Sequence, residues 1–404
     1  MFKNVSATLF IMVISMLSSL AVTIFMGREL AINDFGEFAL LKQIFLIGAT
    51  LAIFGLDYSY IKVFHDSPNS NRVVHVSSLG ILLLFSAIVT PVIGLVYDLS
   101  LFKLIFIFCG IAFGSINLYL ASIFRLKSRF IFAQLFTGGW KIVLLIFLAL
   151  AIILSITIEI EHIYCAWIIS LAVFSAYMAV VILQSPSSAD APYEVKNYLK
   201  FGLTFWLINS TALISGGIDK LLIPIVYDQE LLGIFTGVSF IFTISLTMVG
   251  SAVGYVIYPK ITSGEEINFK KLFSSIALIA ICAIFIFQII GGELVSILFA
   301  KKFDDYLTRE LILFFTILGS LQIVHVILHQ MISGVSNKRE LINYWIVSLT
   351  FIGLFIILLY ASKTTAEFRL ERLAMTIVIV RFAKVCAMII LLKYNTKPMI
   401  PETA

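Results

Sequence analysis

Five basic side chains lie inside long apolar stretches of the sequence, where a charge is energetically costly. These residues are Lys42, Lys141, Lys220, Arg381 and Lys384. A charged side chain that faces lipid at the centre of a bilayer costs at least about 2.5 kcal/mol, so intramembrane charges usually face a bundle interior or a water-filled cavity. Guanidinium and ammonium groups in such a cavity are suited to binding anions such as phosphate. The pattern therefore predicts a cationic interior for the helix bundle.

Three of these cations are the main candidates for a binding role. Lys141 precedes an uninterrupted apolar run and lies about eleven residues into its predicted helix, roughly 16 Å deep at 1.5 Å per residue; a snorkelling or internally paired lysine is the alternative. Arg381 and Lys384 share one helix face near mid-depth. These two cations repel each other unless a ligand or an acidic partner neutralises them. Asp57 and Asp219 are the candidate acidic partners, either for ion coupling or as structural ion pairs.

The remaining charged candidates lie nearer to the predicted ends of helices. Lys42 is one turn into the second predicted helix and Arg28 is in the connection before it, so both are candidates for lining an outward vestibule. Lys220 is a further candidate binding residue. It is adjacent to Asp219, so the two side chains point to different faces of their helix. The glycines at 216–217 predict a bend beside them.

Two histidines, His325 and His329, are spaced for one face of a helix, which would suit metal binding or proton relay. Neither a carboxylate nor a cysteine completes a ligand set beside them, so packing with internal hydrogen bonds is the favoured interpretation. The four cysteines fall in four different apolar stretches without C-x-x-C spacing, which predicts packing residues instead of a disulfide or zinc framework. No metal or cofactor is therefore expected.

The elements that must position these residues are transmembrane helices. The 404 residues are 61% hydrophobic and 13% charged, with a mean hydropathy of +1.07. An ordinary soluble domain is about one quarter charged, and about 20 apolar residues cross the hydrocarbon core as a helix. The sequence predicts an all-α polytopic membrane protein with about twelve transmembrane helices. The predicted spans are residues 5–27, 38–63, 74–97, 101–125, 130–154, 161–183, 197–222, 230–258, 270–299, 307–334, 340–361 and 371–394.

Basic residues are distributed unevenly over the predicted connections. The termini and the even-numbered connections hold fifteen lysines and arginines, whereas the odd-numbered connections hold eight. Because cytoplasmic loops carry an excess of Lys and Arg, both termini are predicted to lie in the cytoplasm. The net charge of +5 reflects mostly this topology. No basic domain is available for binding nucleic acid.

A weak internal repeat predicts two halves. A shift of 197 residues aligns 34–64 with 231–261 and pairs Phe38 with Phe235. Six helices per half give both halves the same orientation, and transporters with this arrangement bind substrate between the halves near the midplane. The predicted organisation is an N-terminal six-helix half at 1–183, a cytoplasmic linker at 184–196 and a C-terminal six-helix half with a short cytoplasmic tail at 197–404, around a central cavity.

A family resemblance is carried by the segment "GRELAINDFGEFALLKQIFLIGATLAIFGLDYSYIK" at 27–62 and its second-half counterpart at 219–240. A glycine-bearing amphipathic connection leads into a helix that ends in a Gly-Leu and aromatic pattern. This plan resembles the oligosaccharide-lipid flippases, which include the O-antigen and capsule repeat-unit flippases of the multidrug, oligosaccharidyl-lipid and polysaccharide exporter superfamily. The resemblance covers essentially the whole chain and implies a MATE-like fold.

The resemblance also implies a function. A flippase of this kind carries an undecaprenyl-pyrophosphate-linked oligosaccharide, such as an O-antigen repeat unit of lipopolysaccharide, from the cytoplasmic to the outer leaflet of the bacterial inner membrane. The implied mechanism is alternating access coupled to H⁺ or Na⁺. The implied partners are the lipid-linked oligosaccharide, the lipid bilayer, and the polymerase and chain-length regulator of polysaccharide assembly.

Two other functions remain open at this stage. A MATE-type drug or cation exporter commonly uses an acidic residue in its first helix, but the predicted span 5–27 has no charged residue. A membrane-embedded polysaccharide polymerase usually needs a sizeable external loop, and the longest candidate is only about 299–309. No nucleophile, acid–base pair or metal motif is recognisable, so the chain is expected not to be an enzyme.

Overall fold

The computed structural model describes residues 2–64, 72–156, 159–185, 191–262, 268–335, 338–362 and 369–395. Every regular element within these ranges is helical. The helices are α1 (Phe2–Glu29), α2 (Ile32–Ala52), α3 (Leu56–Val63), α4 (Arg72–Tyr97), α5 (Leu101–Leu126), α6 (Phe130–Gln134), α7 (Trp140–Ile153), α8 (Ile160–Ser175), α9 (Tyr177–Gln184), α10 (Ala191–Val226), α11 (Gln229–Thr262), α12 (Phe269–Leu298), α13 (Arg309–Val335), α14 (Lys338–Ser362) and α15 (Arg369–Asn395). A π-helical turn at Leu135–Gly139 precedes α7, and a 3₁₀ turn at Asp304–Tyr306 precedes α13.

The number of membrane spans agrees with the sequence. Among the described residues, eleven helices are long and apolar enough to cross a membrane, and the two pieces of α10, Tyr198–Thr211 and Gly216–Val226, form a bent twelfth. The prediction of about twelve transmembrane helices is confirmed. The chain is therefore an all-α, multi-pass membrane protein.

The chain packs into two compact units, Met1–Ile214 and Ser215–Ala404. Their division falls within α10, whereas the sequence places a linker at 184–196, of which residues 186–190 lie outside the described ranges. The assignment of the two halves to 1–183 and 197–404 stays a prediction.

Helix order and packing are alike in the two units. The first residues of α2 and α11 are 197 positions apart, and those of α5 and α13 are 208 apart. In the N-terminal unit α5 packs against α2, α4 and α8, and in the C-terminal unit α13 packs against α11, α12 and α15. The spans on α2 and α11 have 78% and 61% of their residues buried, whereas those on α4 and α12 have 17% and 6%. Corresponding helices are thus central or peripheral in both units.

The second predicted span, 38–63, is divided in the structure. Phe54 and Gly55 adopt left-handed backbone conformations, with φ of 51° and 68°, so the chain leaves the helix after Ala52 and begins α3 at Leu56. The break is held by α10, because Trp206 Nε1 donates a hydrogen bond of 2.8 Å to the carbonyl oxygen of Leu51. A helix interruption needs such partners because its carbonyl groups lose their intrahelical bonds.

Two other interruptions position the candidate residues. The π-helical turn before α7 contains Gly138, which lies against Ser15, and it ends one residue before Trp140. Single π-helical turns are rare and often occur at functional sites. In α10, Gly217 has non-helical dihedrals (φ −133°, ψ 17°), in agreement with the bend that the glycines predict.

Candidate anion-binding site

The C-terminal unit contains two buried cations on one face of α15. Arg381 is 6% exposed and Lys384 is 2% exposed, although both side chains carry charge in a helix that spans the membrane. Their spacing of three residues places them on the same helix face, as the sequence indicates. Such burial is costly unless polar groups or a ligand compensate the charges.

Arg381 is only partly compensated by the protein. Its Nη2 donates a hydrogen bond of 3.2 Å to the carbonyl oxygen of Gly216, at the break in α10. Its Nη1 is buried and has no hydrogen-bond partner. Among the described residues, no ion pair within 4.0 Å joins this guanidinium to a carboxylate. One side of the guanidinium is therefore available to a ligand.

A pocket adjoins both cations. It has a cavity volume of about 30 Å³ and is lined by Asp219 on α10, by Phe351 and Phe355 on α14, by Arg381 and Lys384 on α15, and by aliphatic side chains. The Oδ1 atom of Asp219 is buried without a hydrogen-bond partner. Two cations and one carboxylate give the pocket a net positive charge, so it is suited to an anionic group.

Three further polar side chains lie on α13 and α14, the helices that pack against α15. The ammonium of Lys384 lies 6.0 Å from the ring centroid of Tyr344. The Tyr344 hydroxyl is 3.1 Å from Nδ1 of His329, which gives this histidine the internal hydrogen bond that the sequence favours. His325, one turn earlier, is 4% exposed and both of its ring nitrogens lack a partner. The two histidines thus differ: His329 has a hydrogen-bond partner, whereas neither ring nitrogen of His325 has one.

Lys141 lies in the N-terminal unit, immediately after the π-helical turn. Its side chain is half-buried, and its ammonium lies 5.5 Å from the ring centroid of Trp140. The same indole stacks on Trp167 at 5.4 Å between ring centroids. Within the described ranges, Lys141 makes no ion pair with a carboxylate. The lysine is therefore stabilised by an aromatic ring and not by an opposite charge.

The other sequence candidates in the N-terminal unit lie on α1, α2 and α3. Lys42 donates a hydrogen bond of 2.8 Å from Nζ to Thr23 Oγ1 on α1, and Arg28 is exposed in the last turn of α1. Asp57 lies on α3, beyond the span that ends at Ala52. Burial raises the pKa of its carboxyl to about 6, although the positive charge of Arg125 lowers this pKa.

Lys220 belongs to the C-terminal unit, where it lies half-buried on α10 next to Asp219. It is not among the residues that line the pocket, although Asp219 is. Adjacent residues on a helix point in different directions. Only Asp219 of this pair therefore faces the pocket.

One buried cluster was not found from the sequence. Glu37 on α2 is 9% exposed, pairs with Lys103 Nζ at 2.6 Å and accepts a hydrogen bond of 3.0 Å from the Tyr164 hydroxyl. Glu37 lies one residue before the predicted span 38–63, and Lys103 lies at the beginning of the predicted span 101–125, so the spans alone do not indicate this pair. The usable signal was the apolar neighbourhood of Glu37 within the first turns of α2.

The chain has the fold of the MATE transporters of the MOP superfamily. A MATE structure in complex with MaL6 has a TM-score of 0.61 at 15% identity, over 96% of this chain and 95% of that chain. The inward-facing conformation of a multidrug resistance MATE family transporter has a TM-score of 0.55 at 14% identity, over 94% and 96%. A MOP superfamily transporter from Pyrococcus furiosus, described as having reverse polarity of its binding pocket, has a TM-score of 0.57 at 14% identity, over 97% and 93%.

The family follows from the sequence match. Residues 25–308 match the family model Polysacc_synt_3, described as polysaccharide biosynthesis protein, and the chain belongs to this family. No curated protein sequence matches the chain. Two of these structural neighbours are described as transporters.

Proposed function

We propose that the protein is a flippase for an undecaprenyl-pyrophosphate-linked oligosaccharide, such as an O-antigen or other surface-polysaccharide repeat unit. Its family supports a role in polysaccharide biosynthesis, and its fold supports transport by alternating access. The observation that carries the substrate class is the buried guanidinium of Arg381, whose Nη1 has no partner and lies at a pocket of net positive charge.

The head group of such a substrate must lose water when it enters the protein. A pyrophosphate is anionic and strongly hydrated, so it enters a membrane protein only where fixed charges replace its water. Guanidinium groups bind phosphate oxygens through paired N–H donors, and charge-assisted hydrogen bonds are roughly twice as strong as neutral ones. Arg381 and Lys384 together offer both kinds of cation, while the polyprenyl tail remains in the bilayer.

A MATE-type exporter of drugs or cations is the second candidate. The fold supports it, and the unpartnered Oδ1 of Asp219 would attract a cation. However, Asp219 shares its pocket with Arg381 and Lys384, so a cationic ligand would meet one carboxylate and two positive charges. The net charge of the pocket therefore favours the anionic substrate.

The remaining parts of the proposal concern location and energy source. The charge asymmetry supports cytoplasmic termini, and the bacterial inner membrane is the location that the family resemblance implies. Coupling to H⁺ or Na⁺ and cooperation with the polymerase and chain-length regulator belong to the same proposal.

A deletion strain provides the first test. We expect it to lose surface polysaccharide and to accumulate lipid-linked repeat units on the inner leaflet, measured by polysaccharide gels and by accessibility of the lipid-linked sugar to an impermeant reagent. Re-expression of the wild-type chain should restore both. Normal surface polymer in a strain without a second flippase would contradict the proposal, as would loss of drug resistance as the only phenotype.

Substitutions of Lys141 test its participation in transport. If its charge contacts the substrate, Lys141→Arg should keep most activity, Lys141→Ala should lose most of it, and Lys141→Glu should lose nearly all. Complementation of surface polysaccharide measures this, with membrane abundance quantified in parallel because an intramembrane charge swap affects insertion. Near-normal complementation by Lys141→Glu at normal abundance would show that Lys141 does not bind the anion.

A further inference from the structure

Helices α11 and α13 of the C-terminal unit lie side by side and run in the same direction. A Cβ atom at Gly319 on α13 would lie 2.9 Å from Cδ1 of Leu246 on α11. One turn further along both helices, a Cβ atom at Gly250 would lie 2.9 Å from Cα of Ile323. Because the contact advances along both helices together, the two helices are parallel. These four residues mark the faces with which α11 and α13 pack against each other.

Two polar side chains lie on one side of this contact. Thr247 comes one residue after a contact position on α11, and Gln322 comes one residue before a contact position on α13. One residue turns a helix by about 100°, and the contact faces of two parallel helices point at each other, so these opposite displacements lead to the same side. Ser245 and Ser320 are displaced in the reverse sense and lie on the other side, where each hydroxyl donates to the carbonyl oxygen four residues earlier.

The side with Thr247 continues along α11 as a row of hydroxyl groups. Thr243 lies one turn before Thr247, and Thr236 lies two turns before Thr243, so the three threonines share one helix face. Thr243 Oγ1 donates a hydrogen bond of 2.9 Å to the carbonyl oxygen of Ser239, and Thr247 Oγ1 donates one of 2.7 Å to that of Thr243. Both hydroxyls have used their hydrogen and keep lone pairs that can accept a hydrogen bond. We call the three threonines together with Gln322 the polar strip.

Two members of the polar strip lack a partner in the protein. Thr236 is 4% exposed, and its Oγ1 is buried without a hydrogen bond. Gln322 is half-buried, and within the described ranges its amide makes no hydrogen bond. Both residues lie in helices that are long and apolar enough to span the membrane, where polar side chains usually face the protein interior or a water-filled cavity. Buried polar groups are hydrogen-bonded in the great majority of cases, so the strip needs a ligand or ordered water.

We propose that the polar strip binds the sugar part of the lipid-linked oligosaccharide. The inference rests on the proposed function and adds to it a carbohydrate subsite on α11 and α13, apart from the cations that line the pocket. All four side chains of the strip are uncharged, so they match a neutral polyol better than an ion. A sugar hydroxyl donates one hydrogen bond and accepts others. It can donate to a threonine oxygen or to Oε1 of Gln322 and accept from Nε2 of Gln322.

A triple substitution, Thr243→Val with Thr247→Val and Gln322→Leu, removes the polar atoms of the strip and nearly keeps the side-chain shapes. We expect this variant to fold, as judged by size-exclusion chromatography and Tm in nanodiscs. The control is Ser245→Ala, which removes a hydroxyl from the other side of α11.

Two probes isolate the contribution of the sugar. One is the lipid-linked oligosaccharide extracted from the deletion strain, and the other is undecaprenyl pyrophosphate, which has the same lipid and anion without the sugar. In equilibrium titrations we expect wild type and Ser245→Ala to bind the first probe at least about tenfold more tightly than the second, as a few added hydrogen bonds predict. The triple variant should bind both probes equally, with the affinity of wild type for undecaprenyl pyrophosphate.

The outcomes separate this inference from the proposed function. Equal binding of both probes by wild type, or an unchanged preference in the folded triple variant, overturns the sugar subsite and leaves the flippase standing. Loss of the preference in Ser245→Ala would also contradict the assignment of the sugar to the polar strip. If the deletion strain accumulates no lipid-linked oligosaccharide, or if wild type binds neither probe, both proposals are overturned. If the triple variant does not fold, Gln322→Leu alone is judged by the same criteria, with an expected loss of about threefold.

Discussion

Replacing Gly55 with alanine is expected to prevent the N-terminal unit from folding stably. Gly55 has a φ of 68°, and a Cβ atom there would overlap the carbonyl oxygen of Gly202 and lie 2.8 Å from the amide nitrogen of Trp206. A left-handed conformation costs a non-glycine residue about 1–2 kcal/mol, and overpacking a close contact costs about 1–3 kcal/mol more. Backbone atoms form the obstacle, so no side-chain rotation relieves it.

The measurement is membrane abundance together with Tm of the purified protein. Gly80→Ala on α4 is the matched control, because a Cβ at Gly80 meets no atom within 4 Å. We expect the control to behave as wild type and Gly55→Ala to show a several-fold loss of abundance. Equal abundance and equal Tm of the two variants would refute the close approach of α10 to the break after α2.

Replacing Arg381 with glutamine is expected to reduce transport about 30-fold or more. The change removes the open donor at the pocket and the hydrogen bond to Gly216, and it leaves Asp219 with less opposing charge. Loss of one partner of a desolvated, hydrogen-bonded charge typically costs about 2–5 kcal/mol in binding, and 1.4 kcal/mol corresponds to a factor of ten.

Arg381→Lys separates charge from geometry. Lysine preserves the positive charge but lacks the planar guanidinium, whose several N–H donors can bind Gly216 and a ligand together. We therefore expect a transport rate between the rates of wild type and Arg381→Gln. Lys270→Gln, an exposed position in α12, removes one positive charge from the same unit and should leave transport unchanged. Complementation of surface polysaccharide measures all three, at matched membrane abundance. Transport by Arg381→Gln at the level of Lys270→Gln would contradict a binding role for the guanidinium.

The spans and the shared face of Arg381 and Lys384 could be predicted from the sequence. Hydropathy over about 20 residues and a helical spacing of three are properties of neighbouring residues, so they survive in any fold that these helices form. The glycines at 216–217 also indicated their bend, because a residue without a Cβ loosens the helix locally.

The features that make a site depended on residues far apart in the sequence. The break at Gly55 is stabilised by Gly202 and Trp206, and nothing in the run 38–63 alone distinguishes it from a continuous helix. His325 and His329 look equivalent in the sequence, yet only His329 finds Tyr344 as a hydrogen-bond partner.

Local sequence therefore determined which segments span the membrane and which of them carry charge. Only tertiary structure decided which charges are satisfied. Asp219 and Arg381 line one pocket without forming an ion pair. The bend in α10 sets the position of the Asp219 side chain, and the packing of α15 sets the position of the Arg381 side chain. Compensation of a buried charge depends on distances of a few ångströms between helices, and those distances are set by packing of the whole unit and not by the residues adjacent in the chain.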